Sequence, residues 1–254
     1  MTAHREARFA IYFTPPVESL LYQFGSACVG RDAATGDTLP HPIVDGVSAE
    51  QWQRFAASPG LYGFHATLKP PFRLAAGRTR EELIGSLEKF AMGCVPIDAA
   101  PLRVERISNF IALVLTADSM PLGDLAAACV RQFDRFRAPS TPAEIGRRNP
   151  ARLTPRQQAL LAYWGYPYVL DEWRFHMTLA SGLDRDEADR ICAQLDRIAA
   201  PICDTPLTID AVCLFEQPHA DAPFRLTQRL RFVAKQGFAA ADCKERTVTT
   251  GVEP

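Results

Sequence analysis

The sequence predicts an α+β fold built from two similar halves, and three observations lead to this prediction. The string FHATLKPPF, which begins at Phe64, is nearly repeated as FHMTLASGL, which begins at Phe175. Strand-like and helix-like segments follow one another in the same order around each copy. Helices in corresponding places begin with capping-box sequences. We therefore expect an internal duplication, with two pseudo-symmetric lobes, each an antiparallel sheet covered by helices, and a cleft between them.

Each half begins with an apolar strand and continues with an amphipathic helix. The strands are RFAIYFTPP, from Arg8, and NFIALVLTA, from Asn109. The helices are predicted from apolar residues that recur at helical spacing. These residues are Val17, Leu20, Leu21, Phe24 and Cys28 in the first half, and Leu122, Leu125, Ala126, Cys129, Val130, Phe133 and Phe136 in the second.

A second helix, the motif strand and a third helix then follow in each half. After an irregular stretch rich in Gly and Pro, the second helices begin with capping boxes at Ser48 and Thr154, and Pro155 suits a first helical position. The F-H-x-T-L strand comes next. The third helices begin with similar boxes at Thr79 and Asp184.

A strand that starts with Pro-Leu closes each half, at Pro101 and at Pro206, and a last alternating strand starts at Phe224. The tail beyond it has no periodicity and is predicted to be disordered. The predicted lobes are residues 1–108 and 109–235, which together form one compact domain, and the tail is residues 236–254.

Composition narrows the classes of function. The 28 Lys and Arg residues nearly balance the 29 Asp and Glu residues, so net charge does not favour nucleic acid or a membrane as partner. A small phosphorylated ligand needs only local positive charge. Seven scattered cysteines without C-x-x-C indicate reduced thiols, and no apolar run reaches the ~18 residues of a membrane span. We expect a cytoplasmic protein, and the sequence leaves its oligomeric state open.

The repeated motif places a histidine and a threonine on the same face of a strand. His65 and Thr67 share one face because side chains alternate, and so do His176 and Thr178. Two histidines at one cleft can divide the roles of acid and base near neutral pH, while hydroxyl groups bind anionic oxygens. This set of groups suits phosphodiester cleavage, in which stabilisation of negative charge is the main demand.

Nearby cations strengthen the prediction of a phosphate site. Lys69 has the strand parity of Thr67, Arg174 has that of His176, and both are predicted to bind substrate. Tyr12, on the first strand, is included in the same predicted set. Each of four arginines before the second motif, taken singly, is more often a solvated surface charge. They are Arg147, Arg148, Arg152 and Arg156.

Two other interpretations compete with catalysis. A lone strand histidine is more often structural, but burying the same unpartnered histidine twice would be costly. Two histidines with a carboxylate could hold zinc, yet H-x-H, H-E-x-x-H and C-x-x-C are absent, and His4, His41 and His219 lack ligand spacing. The sequence also lacks G-x-S-x-G, G-x-G-x-x-G and P-loop patterns. We therefore predict neither a metal nor a cofactor.

Two H-x-T motifs in a duplicated α+β chain resemble those of the 2H phosphoesterase superfamily. This superfamily includes cyclic-nucleotide phosphodiesterases and the RNA 2′,3′-cyclic phosphate enzymes also called 2′-5′ RNA ligases. The resemblance implies that His65 and His176 act as acid and base, that Thr67 and Thr178 bind phosphate, and that no metal is required.

Longer strings resemble one branch, a family encoded in phosphonate-utilisation operons. They are RFAIYFTPP, LYGFHATLKPPF, LTPRQQALLAYWGYPYV and WRFHMTLASGL, and the resemblance covers roughly residues 7–235. Carbon–phosphorus lyase pathways produce a ribose 1,2-cyclic phosphate that carries a 5-phosphate. The branch therefore implies this compound as a substrate.

Motifs and resemblance together predict a phosphoric diester hydrolase that opens a cyclic phosphate on a small sugar or nucleotide. Two alternatives stay open, an enzyme that processes 2′,3′-cyclic or 2′-5′ RNA ends and a non-catalytic phosphate-binding protein. The near-symmetry of the motifs leaves open which histidine is the acid. It also leaves open whether water or another hydroxyl opens the ring.

Overall fold

The computed structural model describes residues 7–233, and the α+β class is confirmed there. The predicted tail, His4 and Cys243 lie outside these residues. The strands are β1 (Arg8–Phe13), β2 (Ala66–Phe72), β3 (Ile97–Ala99), β4 (Leu102–Ile107), β5 (Phe110–Leu115), β6 (Met177–Ser181), β7 (Leu207–Ile209), β8 (Ala211–Gln217) and β9 (Arg225–Arg231). The helices are α1 (Leu20–Cys28), α2 (Ala49–Tyr62), α3 (Arg80–Met92), α4 (Met120–Phe133), α5 (Pro142–Gly146), α6 (Pro155–Trp164) and α7 (Arg185–Cys203).

One antiparallel sheet runs through both halves of the chain. Its seven strands lie in the order β4-β5-β6-β2-β1-β8-β9, and β3 pairs with β7 in a separate small sheet. The two motif strands, β2 and β6, are neighbours at the centre, where Ala66 pairs with Met177. The strands of the two predicted lobes therefore join into a single sheet, with both motifs at its middle.

The strand that closes each half belongs to the other half's side of the sheet. β8, from the second half, pairs with β1, and β4, from the first half, pairs with β5. Corresponding strands lie at equal distances from the centre: β2 and β6, then β1 and β5, then β8 and β4. This order agrees with a duplication. The two-fold axis and the lobe limits stay predictions, because the order of strands in a sheet does not give the rotation that relates the two halves.

The two faces of the sheet have different surroundings. Along β1, Phe9, Ile11 and Phe13 join the main core, whereas Ala10 and Tyr12 join a second buried cluster. Helices α1, α2, α3, α4 and α7 all contribute apolar side chains to the main core. The helices thus cover the main-core face, and the motif side chains that face Tyr12 lie on the other.

The predicted helix starts are present. Ser48, Thr79 and Thr154 form reciprocal capping boxes at α2, α3 and α6, and Asp184 accepts a hydrogen bond from the backbone N–H of Glu187 at α7. The predicted stripe of α1 is partly wrong. The helix begins after the Ser19 cap, and Val17 and Leu20 are exposed. Within residues 7–233, no helix has the length and apolar character needed to cross a membrane.

Candidate active site

The end of helix α2 positions the first motif histidine. The helix stops at Gly63, whose φ of 79° is left-handed and favours glycine. A Cβ at this position would also lie 2.7 Å from the Cβ of Ala33. The turn directs the Gly63 carbonyl at His65, whose Nδ1 donates a hydrogen bond to it at 2.8 Å.

The second motif histidine is held in the same way. Nδ1 of His176 donates to the Arg174 carbonyl at 2.9 Å, again two residues earlier in the chain. Because a carbonyl can only accept a hydrogen bond, each Nδ1 must carry the proton. In the neutral state each Nε2 therefore keeps its lone pair, and this is the nitrogen that can take a proton from a reactant or return it.

The motif threonines lie in the two adjacent strands. The hydroxyl of Thr67 is 3.3 Å from Nε2 of His65, where it donates to the lone pair. Thr178 lies on β6 opposite Ala112 of β5, and both threonines are half-buried. A bound anion would compete for the Thr67 hydroxyl, since a charged acceptor makes the stronger hydrogen bond.

Aromatic rings surround His65. Tyr12 stacks on the imidazole with a centroid separation of 3.7 Å and an interplanar angle of 19°, and Phe215 and Tyr62 lie 6.1 Å and 6.3 Å away. Burial lowers the pKa of His65 to about 4, although the hydrogen bond with Gly63 opposes this shift. Positive charge on His176 lowers the pKa of His65 further.

His176 has a more open environment. Tyr12 lies opposite Thr67, whereas the small Ala112 lies opposite Thr178. The nearest aromatic ring contact is with Phe110, at a centroid distance of 5.7 Å among the described residues. Burial lowers the pKa of His176 from its usual value, and the hydrogen bond with Arg174 opposes this. Because a charge on one imidazole disfavours a charge on the other, the two histidines resist carrying a proton each.

The structure corrects the parity argument for Lys69. Tyr12 pairs with Thr67, but Ile11 pairs with Lys69, so β2 carries an irregularity after the threonine. A bulge of this kind turns the following side chains to the opposite face. The ammonium of Lys69 is accordingly buried, 3.2 Å from the Val130 carbonyl and 3.1 Å from a carboxylate oxygen of Asp134 on the 3₁₀ turn that follows α4.

The other two predicted substrate ligands have different surroundings. Arg174 is exposed and donates to the carbonyls of Asp171 and Trp173. It lines an open groove of about 1330 Å³ together with Thr67 and His176. Tyr12 is buried, and its clearest contact is the stack under His65. The structure thus puts Arg174 beside the groove and makes Tyr12 a support for the first histidine.

Sequence reasoning missed two aromatic residues that belong to the site. The indole Nε1 of Trp173 donates to the Thr67 carbonyl at 2.7 Å, which joins the second motif to the first. Tyr62 lies near His65 and stacks on Phe224 at 5.4 Å. Both residues stand three positions before a motif histidine, so an extended comparison of LYGFH with EWRFH contains the signal.

The arrangement combines two imidazoles and a donating hydroxyl with an open groove that His176 and Thr67 line. Such a site can move a proton at each side of an anionic centre without a change in its own net charge. Among residues 7–233, no three His, Cys, Asp or Glu side chains are grouped closely enough to hold a metal ion. Five cysteines in this range are free thiols: Cys28, Cys129, Cys192, Cys203 and Cys213.

Comparison with known proteins found one family and two curated relatives. The sequence model described as "Protein of unknown function (DUF1045)" matches residues 67–225, which include the second motif and begin just after His65. A protein of Janthinobacterium sp. (strain Marseille) named "Ribose 1,5-bisphosphate phosphokinase PhnN" is 38% identical over 229 residues, 89% of this chain and 51% of the relative. A protein of the same name from Laribacter hongkongensis (strain HLHK9) is 36% identical over 221 residues, 86% and 50% of the two chains. The chain thus spans about half the length of the curated relatives it matches.

Proposed function

The chain belongs to the family described as DUF1045, and we propose that it is a metal-independent cyclic phosphodiesterase. It would open a cyclic phosphate on a small sugar or nucleotide by acid–base catalysis with two histidines. The observation that carries the proposal is the matched pair of imidazoles. Each has Nδ1 held by a carbonyl two residues earlier, and each therefore keeps Nε2 for proton transfer.

The proposed reaction starts with one histidine neutral and the other protonated. Nε2 of the neutral histidine takes a proton from a water molecule as its oxygen attacks phosphorus. The bond from phosphorus to one ring oxygen breaks, and the protonated histidine donates its proton to that oxygen. The products are a phosphate monoester and a free hydroxyl. The proton has moved from one histidine to the other, and solvent exchange restores the starting state.

The unequal surroundings of the histidines support an assignment of roles. His65 has its pKa lowered to about 4 by burial, so it is the harder of the two to protonate. We assign it the part of the base and His176 the part of the acid during hydrolysis. Thr67, Thr178 and Arg174 are assigned to the phosphate oxygens, since hydroxyl and guanidinium groups donate to such oxygens.

The relatives support a phosphorylated ribose as the substrate. Their name concerns ribose 1,5-bisphosphate, and the resemblance to phosphonate-operon proteins agrees with a role in phosphonate metabolism. Ribose 1,2-cyclic phosphate with a 5-phosphate is therefore the first compound to test. We do not propose the kinase activity in that name, because the relatives are about twice as long and this sequence lacks a P-loop.

Phosphorus NMR of EDTA-treated protein with a panel of cyclic phosphates tests the proposal. We expect ring opening by the wild-type protein and a loss of about 10²- to 10⁴-fold in kcat for His65→Ala and for His176→Ala. Arg197→Ala, which changes an exposed residue of α7, is the matched control. The proposal fails if the wild-type protein opens none of the compounds, or if both histidine variants keep full activity. Calorimetric binding without turnover would favour a binding protein instead.

A further inference from the structure

A second, smaller pocket lies beside the aromatic stack of His65. Its volume is about 160 Å³, which is less than the ~300–1,000 Å³ typical of a site for a whole ligand. Tyr62, which lies near His65, forms part of its wall. The size suits one substituent of a larger molecule. We call it the basic pocket, after the cations that line it: Arg8, Lys69, Arg73, Arg137, Arg147 and Arg148.

Acidic side chains neutralise only half of these cations. Arg73 is paired with Glu144, the one carboxylate among the described residues of the pocket wall. Lys69 and Arg137 share Asp134, at 3.1 Å and 2.7 Å. The other three cations line the pocket without a carboxylate within ion-pair distance among residues 7–233. They are Arg8, Arg147 and Arg148.

These three arginines come from two parts of the chain, and Arg8 and Arg148 contact neutral groups. Arg8, at the start of β1, donates to the side-chain carbonyl of Gln217 at 2.6 Å. Arg148 follows α5 and lies 4.5 Å over the ring of Tyr166. Unneutralised positive charges that converge on one concavity repel one another, and a bound anion relieves the repulsion. The chemistry of the pocket is therefore that of a site for an anion.

One contact joins the basic pocket to the histidine groove. Tyr166 lines the groove together with Thr67 and His176, and Arg148, which lines the pocket, lies 4.5 Å over the Tyr166 ring. Burial raises the pKa of the Tyr12 hydroxyl, and the charges of Arg8 and Arg148 oppose that shift. A molecule with its reacting group in the groove can therefore extend a second group toward these arginines.

We infer that the basic pocket binds a phosphate monoester group of the substrate, separate from the phosphate that reacts. The inference rests on the proposed function and makes it narrower, since it selects cyclic phosphates that carry a second phosphate. Arg147 and Arg148 are its specificity-determining residues. A dianionic monoester satisfies several guanidinium donors at once and supplies the charge that Glu144 and Asp134 leave unbalanced.

The preference for a phosphorylated substrate tests this inference. The experiment compares kcat/KM for ribose 1,2-cyclic phosphate with and without a 5-phosphate, in the wild-type protein and in the Arg147→Gln/Arg148→Gln double variant. Both residues are exposed, so folding is not at risk. We expect the wild-type protein to prefer the 5-phosphate, and the double variant to lose about 10- to 100-fold of that preference, mostly through KM. Arg197→Gln is the control that should retain it.

Binding of ribose 5-phosphate provides a measurement that does not depend on turnover. Calorimetry should give a dissociation constant about 10- to 100-fold higher for the double variant than for the wild-type protein. If the wild-type protein opens neither cyclic phosphate, the proposed function fails, and this titration still decides the pocket. Equal affinity in both proteins, or a preference unchanged in the double variant, would overturn the inference. So would equal turnover of the two substrates combined with inorganic phosphate binding as tightly as ribose 5-phosphate, which would indicate a site for a free anion.

Discussion

At the scale of single residues, identical hydrogen bonds hold two histidines in unequal surroundings. Both Nδ1 atoms donate to the carbonyl two residues earlier, but only His65 stacks on a buried tyrosine. Burial lowers both pKa values, that of His65 to about 4. One contribution to the difference is that Tyr12 in β1 lies opposite the first motif threonine, whereas Ala112 in β5 lies opposite the second. On the proposed function, this inequality gives the two histidines different roles.

This inequality predicts an acidic optimum for kcat/KM. The active form carries one proton on the pair, so activity needs His176 protonated and His65 neutral. Its alkaline limit should lie below the usual histidine pKa of about 6.5, and its acid limit near the His65 value of about 4. A bound phosphate anion raises both pKa values, so the kcat profile should lie at higher pH than the kcat/KM profile.

The measurement is a pH–rate profile with ribose 1,2-cyclic phosphate, which carries no monoester that titrates near neutrality. Tyr12→Phe preserves the ring under His65 and should keep both limits. His176→Gln should remove the alkaline limb along with most of the activity. An alkaline limb of kcat/KM above pH 7.5 in the wild-type protein would contradict the assignment of His176.

At the scale of secondary-structure elements, an irregularity follows the threonine in each motif strand. In β2 the pairing shifts between Tyr12 and Ile11, and in β6 it shifts between Ala112 and Ile111. Lys69 and its counterpart Ala180 consequently both face the helices, where Ala180 belongs to the main core. Up to the threonine, the motif side chains alternate onto the face that carries the site. Beyond the bulge, Lys69 and Ala180 instead point into the helix-covered face. The bulge also makes Lys69 part of a buried ion pair with the segment that follows α4.

The ion pair of Lys69 and Asp134 joins β2 to the segment after α4, and we expect its two partners to differ in how much their replacement costs in stability. Asp134→Ala leaves Lys69, whose side chain is 1% exposed, without its counter-charge, and should lower the free energy of unfolding by about 3 kcal/mol. Lys69→Met should change it by less than about 1 kcal/mol, because a similar apolar side chain replaces the cation and Asp134 keeps Arg137 at 2.7 Å. Urea denaturation measures both values.

The double variant Asp134→Ala/Lys69→Met is the control, since it removes the uncompensated charge and should recover most of the lost stability. The same Lys69→Met protein tests the original assignment of Lys69 to the substrate. A tenfold rise in KM for ribose 1,2-cyclic phosphate, which carries no monoester for the basic pocket, with unchanged stability would return Lys69 to the site of the reacting phosphate and contradict its structural role.

At the scale of the whole molecule, the halves complete one another. β8 extends the sheet from β1, β4 extends it from β5, and the chain passes from one half to the other in the tight turn between Ile107 and Phe110. Two helices also pack on strands of the other half. α3 packs on β8 and β9, and α7 packs on β4. Each half therefore covers part of the core of the other.

This exchange predicts that neither half folds alone. A fragment of residues 1–108 lacks β8, and a fragment of residues 109–254 lacks β4, so each exposes unpaired strand edges and apolar side chains that the other half covers. We expect no cooperative urea transition by circular dichroism from either fragment, and recovery of one when the two are mixed in equal amounts. The intact chain is the reference. A cooperative transition from the second fragment alone would contradict the prediction.

Much of this molecule can be predicted from local pattern. Apolar periodicity, capping boxes and the repeated F-H-x-T-L string indicate the α+β class, most helix starts and the four motif residues, because each of these signals lies within a few neighbouring residues. The same comparison of halves, extended by three residues, contains Tyr62 and Trp173. The repeated segments also predict a duplication, which makes two equivalent histidines expected before any contact is known.

Contacts between distant residues settled the rest. The joining of both halves in one sheet, the stack of Tyr12 on His65, the burial of Lys69 against Asp134 and the basic pocket all depend on segments far apart in sequence. A bulge shows why parity failed for Lys69, since one extra residue reverses every side chain beyond it and leaves no mark in the alternation of polarity. The protonation of the two histidines also depends on the tertiary structure, because the pKa of an imidazole is set by the burial and the neighbours that folding provides.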